Sequence, residues 1–328
     1  MEIIQMELNP NESIAFIGDL HVDSVGPASR LDDYMITVCE KVNDIRIKCL
    51  ERNVKAVLFS GDIFNRIQMP NETINMIGIE FKKFIKEGIS LYSIVGNHDI
   101  ARNRFREEKL LVSPLSILFN FDIVKHINLT RRIVINKKTL ITPVDYTQYP
   151  PKAMEKVQGN ILFAHMFFNA GDIMADENHN LKPEHIKDLG YDCAVLGHDH
   201  VYYPIMNCEG TDIVRPGSVM RATAHEYNFR RIPCFYVLRN PEEYNVSNFE
   251  QVDIVCKPFV NIASNTVLNK KSINTISIAC DLSDLASKLA DNTVGYEDRI
   301  VELIKSDTNL PNDVRQLIFN YFQEMQVF

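Results

Sequence analysis

No apolar run among the 328 residues reaches the roughly 20 positions that a membrane-crossing helix needs, so a membrane partner is not expected. The first stretch, Met1 to Asn11, carries two Glu and no Lys or Arg, and so lacks the basic start of a secretory leader. Seven cysteines form no Cys-x-x-Cys pair, and their odd number cannot close into a full set of disulfides. Cys39, Cys49, Cys193 and Cys234 fall in apolar patterns, where a free thiol acts as a small hydrophobe. A reducing cytoplasm is the expected setting. A basic surplus is also missing: the net charge is −8, whereas nucleic-acid binders usually carry excess Lys and Arg. Internal repeats and low-complexity segments are absent too. What remains is an ordinary globular composition, 45% apolar and 24% charged, long enough for one large domain or two of usual size.

Five short apolar runs stand out, each followed by Asp, His or Asn. Ile14-Ala15-Phe16-Ile17 leads into Gly18-Asp19-Leu20-His21, and Val57-Leu58-Phe59 leads into Gly61-Asp62. Ile94-Val95 precedes Gly96-Asn97-His98-Asp99, Ile161-Leu162-Phe163 precedes Ala164-His165, and Ala194-Val195-Leu196 precedes Gly197-His198-Asp199-His200. Runs of this length, rich in β-branched and aromatic residues, predict buried strands. Open α/β sheets bind ligands at the carboxyl ends of their strands, so all five loops are expected to meet at one place.

Between these runs, Leu31, Tyr34, Met35, Val38, Val42, Ile45 and Cys49 recur at helical spacing, which predicts an amphipathic helix starting near Ser29. A second helix is expected from Pro70 to about Glu87, stopped by Gly88. This alternation indicates a largely parallel sheet. Strands are expected at Leu91–Val95, Ile123–Ile127, Arg132–Ile135 and Thr139–Ile141, with a hairpin turn at Asn136-Lys137-Lys138. The polar stretch 169–183 reads as a long loop, Pro183 opens a short helix, and Pro233–Leu238 reads as the last strand of the main domain. Arg239 to Glu243 looks like a boundary. It separates a domain over residues 1–240 from a small α+β region over 245–328, which ends in a helix from Asn312 to about Met325. The apolar face of that helix either docks a partner or packs on its own domain.

Asp19, His21, Asp62, Asn97, His165, His198 and His200 together offer seven oxygen or nitrogen ligands. That mixture suits borderline ions such as Mn, Fe or Zn better than Ca or Mg. Seven ligands exceed one tetrahedral ion and suit two ions with a shared carboxylate. Such a pair can clamp the attacking and leaving oxygens of an in-line phosphoryl displacement. His98, next to Asn97, can then reach the substrate as a proton donor, with Asp99 holding its imidazole. Each element alone has a plainer reading as a surface loop or a satisfied core histidine; the ordered set carries the inference. Basic clusters occur at Arg102, Arg104 and Arg106, at Arg131-Arg132, at Lys137-Lys138 and at Arg230-Arg231. They are either solvated surface or, for the first, a substrate contact beside the site.

The ordered motifs resemble the calcineurin-like metallophosphoesterases over roughly residues 14–220. The resemblance implies one metal held by Asp19, His21 and His200, and a second held by Asn97, His165 and His198, with Asp62 bridging and His98 catalytic. It implies an α/β fold with two mixed β-sheets in a sandwich flanked by helices. Gly61-Asp62-Ile63-Phe64, Asp99 and Pro216-Gly217-Ser218-Val219-Met220-Arg221 are most similar to the SbcD-type DNA-repair nucleases, in size closest to phage subunits. That likeness implies a metal-dependent phosphodiesterase, exo- and endonuclease on DNA ends or single strands, acting in recombination and repair. It further implies Mn2+ as the expected ion (Mg2+, Fe2+ and Zn2+ being alternatives), a homodimer, an SbcC-type ATPase partner and a C-terminal capping domain. DNA contacts are then expected from Arg102, Arg104, Arg106 and Arg221. The location implied is cytoplasmic, the host cytoplasm if the chain is phage-encoded. Asn65 departs from the pattern, because many members have His there, and this leaves the balance of exo- and endonuclease activity open. Two other readings stand beside this one: a small-molecule phosphodiesterase or phosphatase, which the acidic charge favours, and a non-catalytic scaffold, which the complete ligand set disfavours.

Overall fold

The computed structural model describes residues 2–100, 112–146, 148–154, 157–168, 180–222, 228 and 231–258. In chain order, the first half runs β1 (Glu2–Met6), β2 (Ser13–Ile17), α1 (Tyr34–Glu51), β3 (Val54–Phe59), α2 (Asn71–Lys86), β4 (Ser90–Ser93), α3 (Pro114–Asn120) and β5 (Lys125–His126). The second half runs β6 (Arg131–Ile135), β7 (Thr139–Val144), β8 (Gly159–His165), β9 (Phe167–Phe168), β10 (Asn180–Leu181), α4 (Pro183–Leu189), β11 (Cys193–Gly197), β12 (Tyr203–Cys208), β13 (Thr211–Arg215), β14 (Cys234–Arg239) and β15 (Phe249–Asp253).

Two mixed sheets form the expected α/β sandwich. One has the order β15-β14-β2-β3-β4-β5, parallel from β2 to β5. The other has the order β1-β6-β7-β8-β11-β13-β12, parallel from β7 through β13. Alternation along each strand splits its apolar side chains between two layers. From β2 and β3, Ile14, Phe16 and Leu58 face Ile133, Ile161, Phe163 and Val195 of the other sheet. The Phe16 and Phe163 rings lie 5.6 Å apart in that layer. Ala15, Ile17, Val57 and Phe59 face outward, under Val38, Val42 and Ile45 of α1 and Phe81 and Phe84 of α2. Because both faces are covered, these strands read as continuous apolar runs.

Local chemistry sets most element ends. Asn136 and Lys137 both adopt left-handed φ (47° and 58°), as the tight turn closed by the Lys138 amide on the Ile135 carbonyl at 2.9 Å requires between antiparallel β6 and β7. The expected start of α1 near Ser29 is corrected to Tyr34. The Asp33 side chain caps the Ile36 amide at 3.0 Å, and Asp32 binds Arg30 and Thr37, so residues 29–33 form the cap. Leu31, assigned to the buried helical face, lies ahead of the helix and is exposed. β4 stops at Ser93, short of Val95, because the Val95 amide donates to Asp145 at 2.8 Å. β15 pairs with β14 inside the six-stranded sheet, so this sheet continues past the boundary placed at 240–245. The compact unit that contains these elements spans Met1–Leu268. The rest of the capping region, including the helix over 312–325, lies outside the described residues. Among the described residues no helix is long and apolar enough to cross a membrane.

Past the carboxyl end of β2, four consecutive carbonyls, Ser218 to Arg221, each accept from a cationic side chain. Arg231 donates to Ser218 and Met220, Lys41 Nζ to Val219 at 2.7 Å, and Arg30 to Arg221 at 3.0 Å. Lys41 is buried, and burial lowers its pKa from 10.5 to about 7, with Arg221, Arg231 and Arg30 adding repulsion. The folded value lies below the unfolded one, so folding releases a proton between about pH 7 and 10.5, and stability rises with pH across that window. Lys41→Met should flatten this rise. The check is urea unfolding of both chains at pH 7 and pH 9.5; the stability difference should shift toward the wild type at the higher pH.

Candidate metal centre

The seven candidate ligands sit where five strands end. Asp19 and His21 follow β2, Asp62 follows β3 and Asn97 follows β4; His165 is the last residue of β8, and His198 and His200 follow β11. Each strand end is crowded against the next. A Cβ on Gly96 would lie 2.1 Å from Asp62 Oδ1, and one on Gly18 would lie 1.9 Å from the Gly217 carbonyl oxygen, so neither position admits a side chain. His21, Asp62 and His198 adopt positive φ (48°, 48° and 82°), a conformation costing about 1–3 kcal/mol each that persists only where surrounding structure enforces it.

Two donor groups result. In one, Asp19 Oδ2 lies 3.9 Å from His21 Nε2 and 3.6 Å from His200 Nε2, and the two imidazole nitrogens face each other at 2.8 Å. In the other, His165 Nε2 lies 2.9 Å from Asn97 Oδ1 and 3.4 Å from Asp62 Oδ2, with His198 completing the group. Asp62 Oδ2 also lies 3.9 Å from His21 Nε2, which places this one oxygen between both groups. The surroundings hold these atoms in place. His165 Nδ1 donates to the Ser60 carbonyl at 2.7 Å, which turns Nε2 toward Asn97 and Asp62. Ser60 Oγ donates to Asp19 Oδ1, and the His198 amide donates to the same carboxylate.

The electrostatics fit divalent ions. Asp62 Oδ2 is fully buried and makes no hydrogen bond, as a bridging ligand atom should. Burial holds His21 and His198 well below the usual imidazole pKa and His200 down to about 4, with neighbouring imidazoles adding repulsion. These three therefore offer lone pairs rather than protons. Burial also acts against the charge on His165, but Asp62 and Asp19 outweigh it and raise its pKa to about 9. Burial, with Asp62 alongside, raises Asp19 to about 7 in spite of His165. Asp62 itself stays well below the carboxylate range, because His165, His98 and His21 overcome its burial. Asp19 is thus the carboxylate left short of positive charge, and a cation held by Asp19, His21 and His200 would supply it.

His98 stands next to this cluster, its ring 4.9 Å from that of His21, and its amide donates to Asp62 Oδ1 at 2.8 Å. The expected Asp99 support is corrected. His98 Nδ1 donates to the Asn65 carbonyl at 2.7 Å, while the Asp99 carboxylate accepts from the Gly96 and Phe64 amides. Asp99 is fully buried and ties the β3 and β4 loops together; adjacent residues on a turn point different ways, and only His98 faces the cluster. Arg221 is corrected as well: it is buried, with its guanidinium on the carbonyls of Asn228 and Lys257. Arg102, Arg104 and Arg106 lie outside the described residues. The sequence reading missed Ser60, the Asn65 carbonyl, Asp23 and Arg66. The contacts of Ser60 to His165 and of Asn65 to His98 run through main-chain oxygens, which carry no residue-type signal.

The calcineurin-like phosphoesterase family model matches residues 12–202, which takes in all seven candidate ligands. The chain belongs to this family. Its members carry a dinuclear divalent metal centre, and the two donor groups stand where that centre would bind. The chain is 26% identical over 238 residues to the DNA double-strand break repair protein Mre11 of Methanocaldococcus jannaschii, covering 69% of this chain and 62% of that protein. It is 23% identical over 226 residues to the protein of the same name from Methanopyrus kandleri, covering 62% and 48%. The chain therefore spans less than two thirds of either relative. Similar solved structures include TT1561 of Thermus thermophilus (8% identity, TM-score 0.43, covering 74% of this chain and 98% of that one). A dimetal phosphatase from Danio rerio is another (13% identity, TM-score 0.45, covering 70% and 92%).

A ligand shared by both donor groups makes a sharp prediction. Adding Mn2+ to chelator-stripped protein should raise its melting temperature, since a ligand at 100 times its Kd stabilises by about 2.7 kcal/mol. Asp62→Ala should lose most of that rise. Gly96→Ala, which drives a methyl into Asp62, should lose it as well, and differential scanning calorimetry reads both.

Proposed function

We propose that this phosphoesterase is an SbcD-like, metal-dependent DNA nuclease subunit that hydrolyses phosphodiester bonds at DNA ends or single strands. The observation that carries a two-metal hydrolase is the single buried Asp62 oxygen between two donor groups, with His98 beside it. Similarity to two archaeal proteins named for DNA double-strand break repair supports DNA as the substrate. By the same likeness we propose a homodimer, an SbcC-type ATPase partner, Mn2+ as the ion, and a capping role for the region after the nuclease domain.

Asp19, His21 and His200 would hold one ion, and Asn97, His165 and His198 the other, with Asp62 common to both. When bound, such ions polarise a phosphate and lower the pKa of water at the site. The Ser60 carbonyl accepts from His165 Nδ1, so Nε2 is the nitrogen that would lose its proton and ligate the ion. The Asn65 carbonyl accepts from His98 Nδ1, so in its imidazolium form His98 presents the Nε2 proton to the leaving oxygen and is left as the neutral Nδ1–H tautomer. Asp62 Oδ1 accepts from the His98 amide and so locks the spacing between the bridging carboxylate and the proton donor.

Wild-type protein should cleave single-stranded, blunt or hairpin DNA with Mn2+ or Mg2+, and chelator should stop it. Asp62→Ala should be inactive. His98→Ala should lower kcat by about 10²–10⁴ while keeping the metal-induced rise in melting temperature. If bis-p-nitrophenyl phosphate is turned over and no DNA is cut, the small-molecule diesterase reading replaces this one. No turnover of either substrate in metal-loaded protein would leave the scaffold reading.

A further inference from the structure

Asn65 stands where the resembled nucleases often have His, and the structure shows what it does here. Its side chain donates to Asp23 Oδ2 at 2.8 Å, while its carbonyl holds His98 Nδ1. Arg66, the next residue, donates from Nε to both oxygens of the same Asp23, at 3.1 and 3.0 Å, and from Nη2 to Oδ1. Asp23 thus gathers Asn65 and Arg66 onto one carboxylate.

The placement of this cluster follows from the ligand loops. Val22 and Phe64 form a parallel bridge, the Val22 amide donating to Ile63 and the Asn65 amide to Val22. The loop after His21 and the loop after Asp62 therefore run side by side, and Asp23 and Arg66 meet where this short ladder ends. A cavity of about 370 Å³ opens there, with Asp23, Tyr34, Asn65 and Arg66 among its walls. Tyr34 donates its hydroxyl to the His21 carbonyl at 3.1 Å, so one wall joins a ligand loop and another joins His98.

The pair is unlike an ordinary surface ion pair, in which both partners are solvated and little is gained. The Asp23 side chain is 4% exposed, whereas that of Arg66 is 51% exposed. A buried carboxylate holds one edge of the guanidinium and fixes its direction. Among the described residues, Arg66 Nη1 makes no hydrogen bond. A planar donor fork with one edge anchored and the other open is the geometry that recognises phosphate oxygens. Asp23 cancels much of the net charge, so the gain is a directed hydrogen bond and modest attraction.

We propose that Arg66 binds the phosphate flanking the scissile one, with Asp23 aiming its guanidinium. The proposal rests on the diester-hydrolase reading of the neighbouring metal centre. It gives the Asp23–Asn65–Arg66 cluster a substrate subsite on the polymer side of the reaction.

The test uses the full chain. Binding of a fluorescein-labelled single-stranded oligonucleotide is measured by anisotropy in chelator over a range of salt. Cleavage of the same oligonucleotide and of bis-p-nitrophenyl phosphate is measured with Mn2+. Arg66→Ala should weaken oligonucleotide binding by about 3- to 10-fold and reduce the salt slope by about 0.7, the loss of one single-strand phosphate contact. Its KM for the oligonucleotide should rise more than its kcat falls, and more than its KM for the small diester, which has no flanking phosphate. Arg66→Lys should restore the salt slope and only part of the affinity, because a point charge lacks the fork. Unchanged affinity and slope in Arg66→Ala, with wild type cutting DNA, would overturn the proposal alone. So would an equal fall in kcat on both substrates, which would mean that Arg66 acts only by holding the loop that orients His98. Wild type that turns over the small diester and neither binds nor cuts DNA would remove the nuclease reading, and this proposal with it.

Discussion

Asp62 is a fully buried carboxylate approached by the imidazoles of His21 and His165. Burying a charge is costly unless it is paired, and this one is left with an oxygen that makes no hydrogen bond. The rest of the site is arranged around that debt. Glycine at position 96 lets the β4 loop come within reach of the Asp62 side chain, and the same carboxylate then takes the His98 amide. Three residues of the cluster sit at positive φ, which only a scaffold fixed elsewhere can impose.

That scaffold is the sandwich and the polar contacts behind it. Parallel strands bring the loops after β2, β3 and β4 to one end of one sheet, and β8 and β11 deliver three histidines from the other. Asp99 ties two loops through main-chain amides, and Ser60 ties His165 to Asp19. The Ser218 and Val219 strap accepts Arg231 and Lys41 on one side and contacts the Asp19 carbonyl on the other. Stability of the hydrophobic core and geometry of the candidate metal centre are therefore coupled through a buried lysine and two arginines.

Much of this was legible in the residues. The apolar runs marked the strands because a strand covered on both faces has no polar alternation to hide it. The candidate ligands stood out because His, Asp and Asn directly after a buried strand sit at a sheet end, and the structure brings all seven together. The start of α1 was misjudged by five residues because Leu31 matches the helical period, while the capping by Asp33 depends on a side-chain rotamer. Asp99 was misassigned because adjacency in sequence says nothing about which way two neighbours on a turn point.

The sequence by itself determined the order of strands and ligands, the donor chemistry and the family, since all of these depend on residue type and spacing. Tertiary structure alone decided that Asp62 Oδ2 lies between both donor groups and that a carbonyl, not a carboxylate, orients His98. It also decided that Asn65 and Arg66 share Asp23 beside the candidate metal ligands. Those relations join residues 33 to 103 positions apart, or run through main-chain oxygens common to every residue, and only the folded backbone sets such distances.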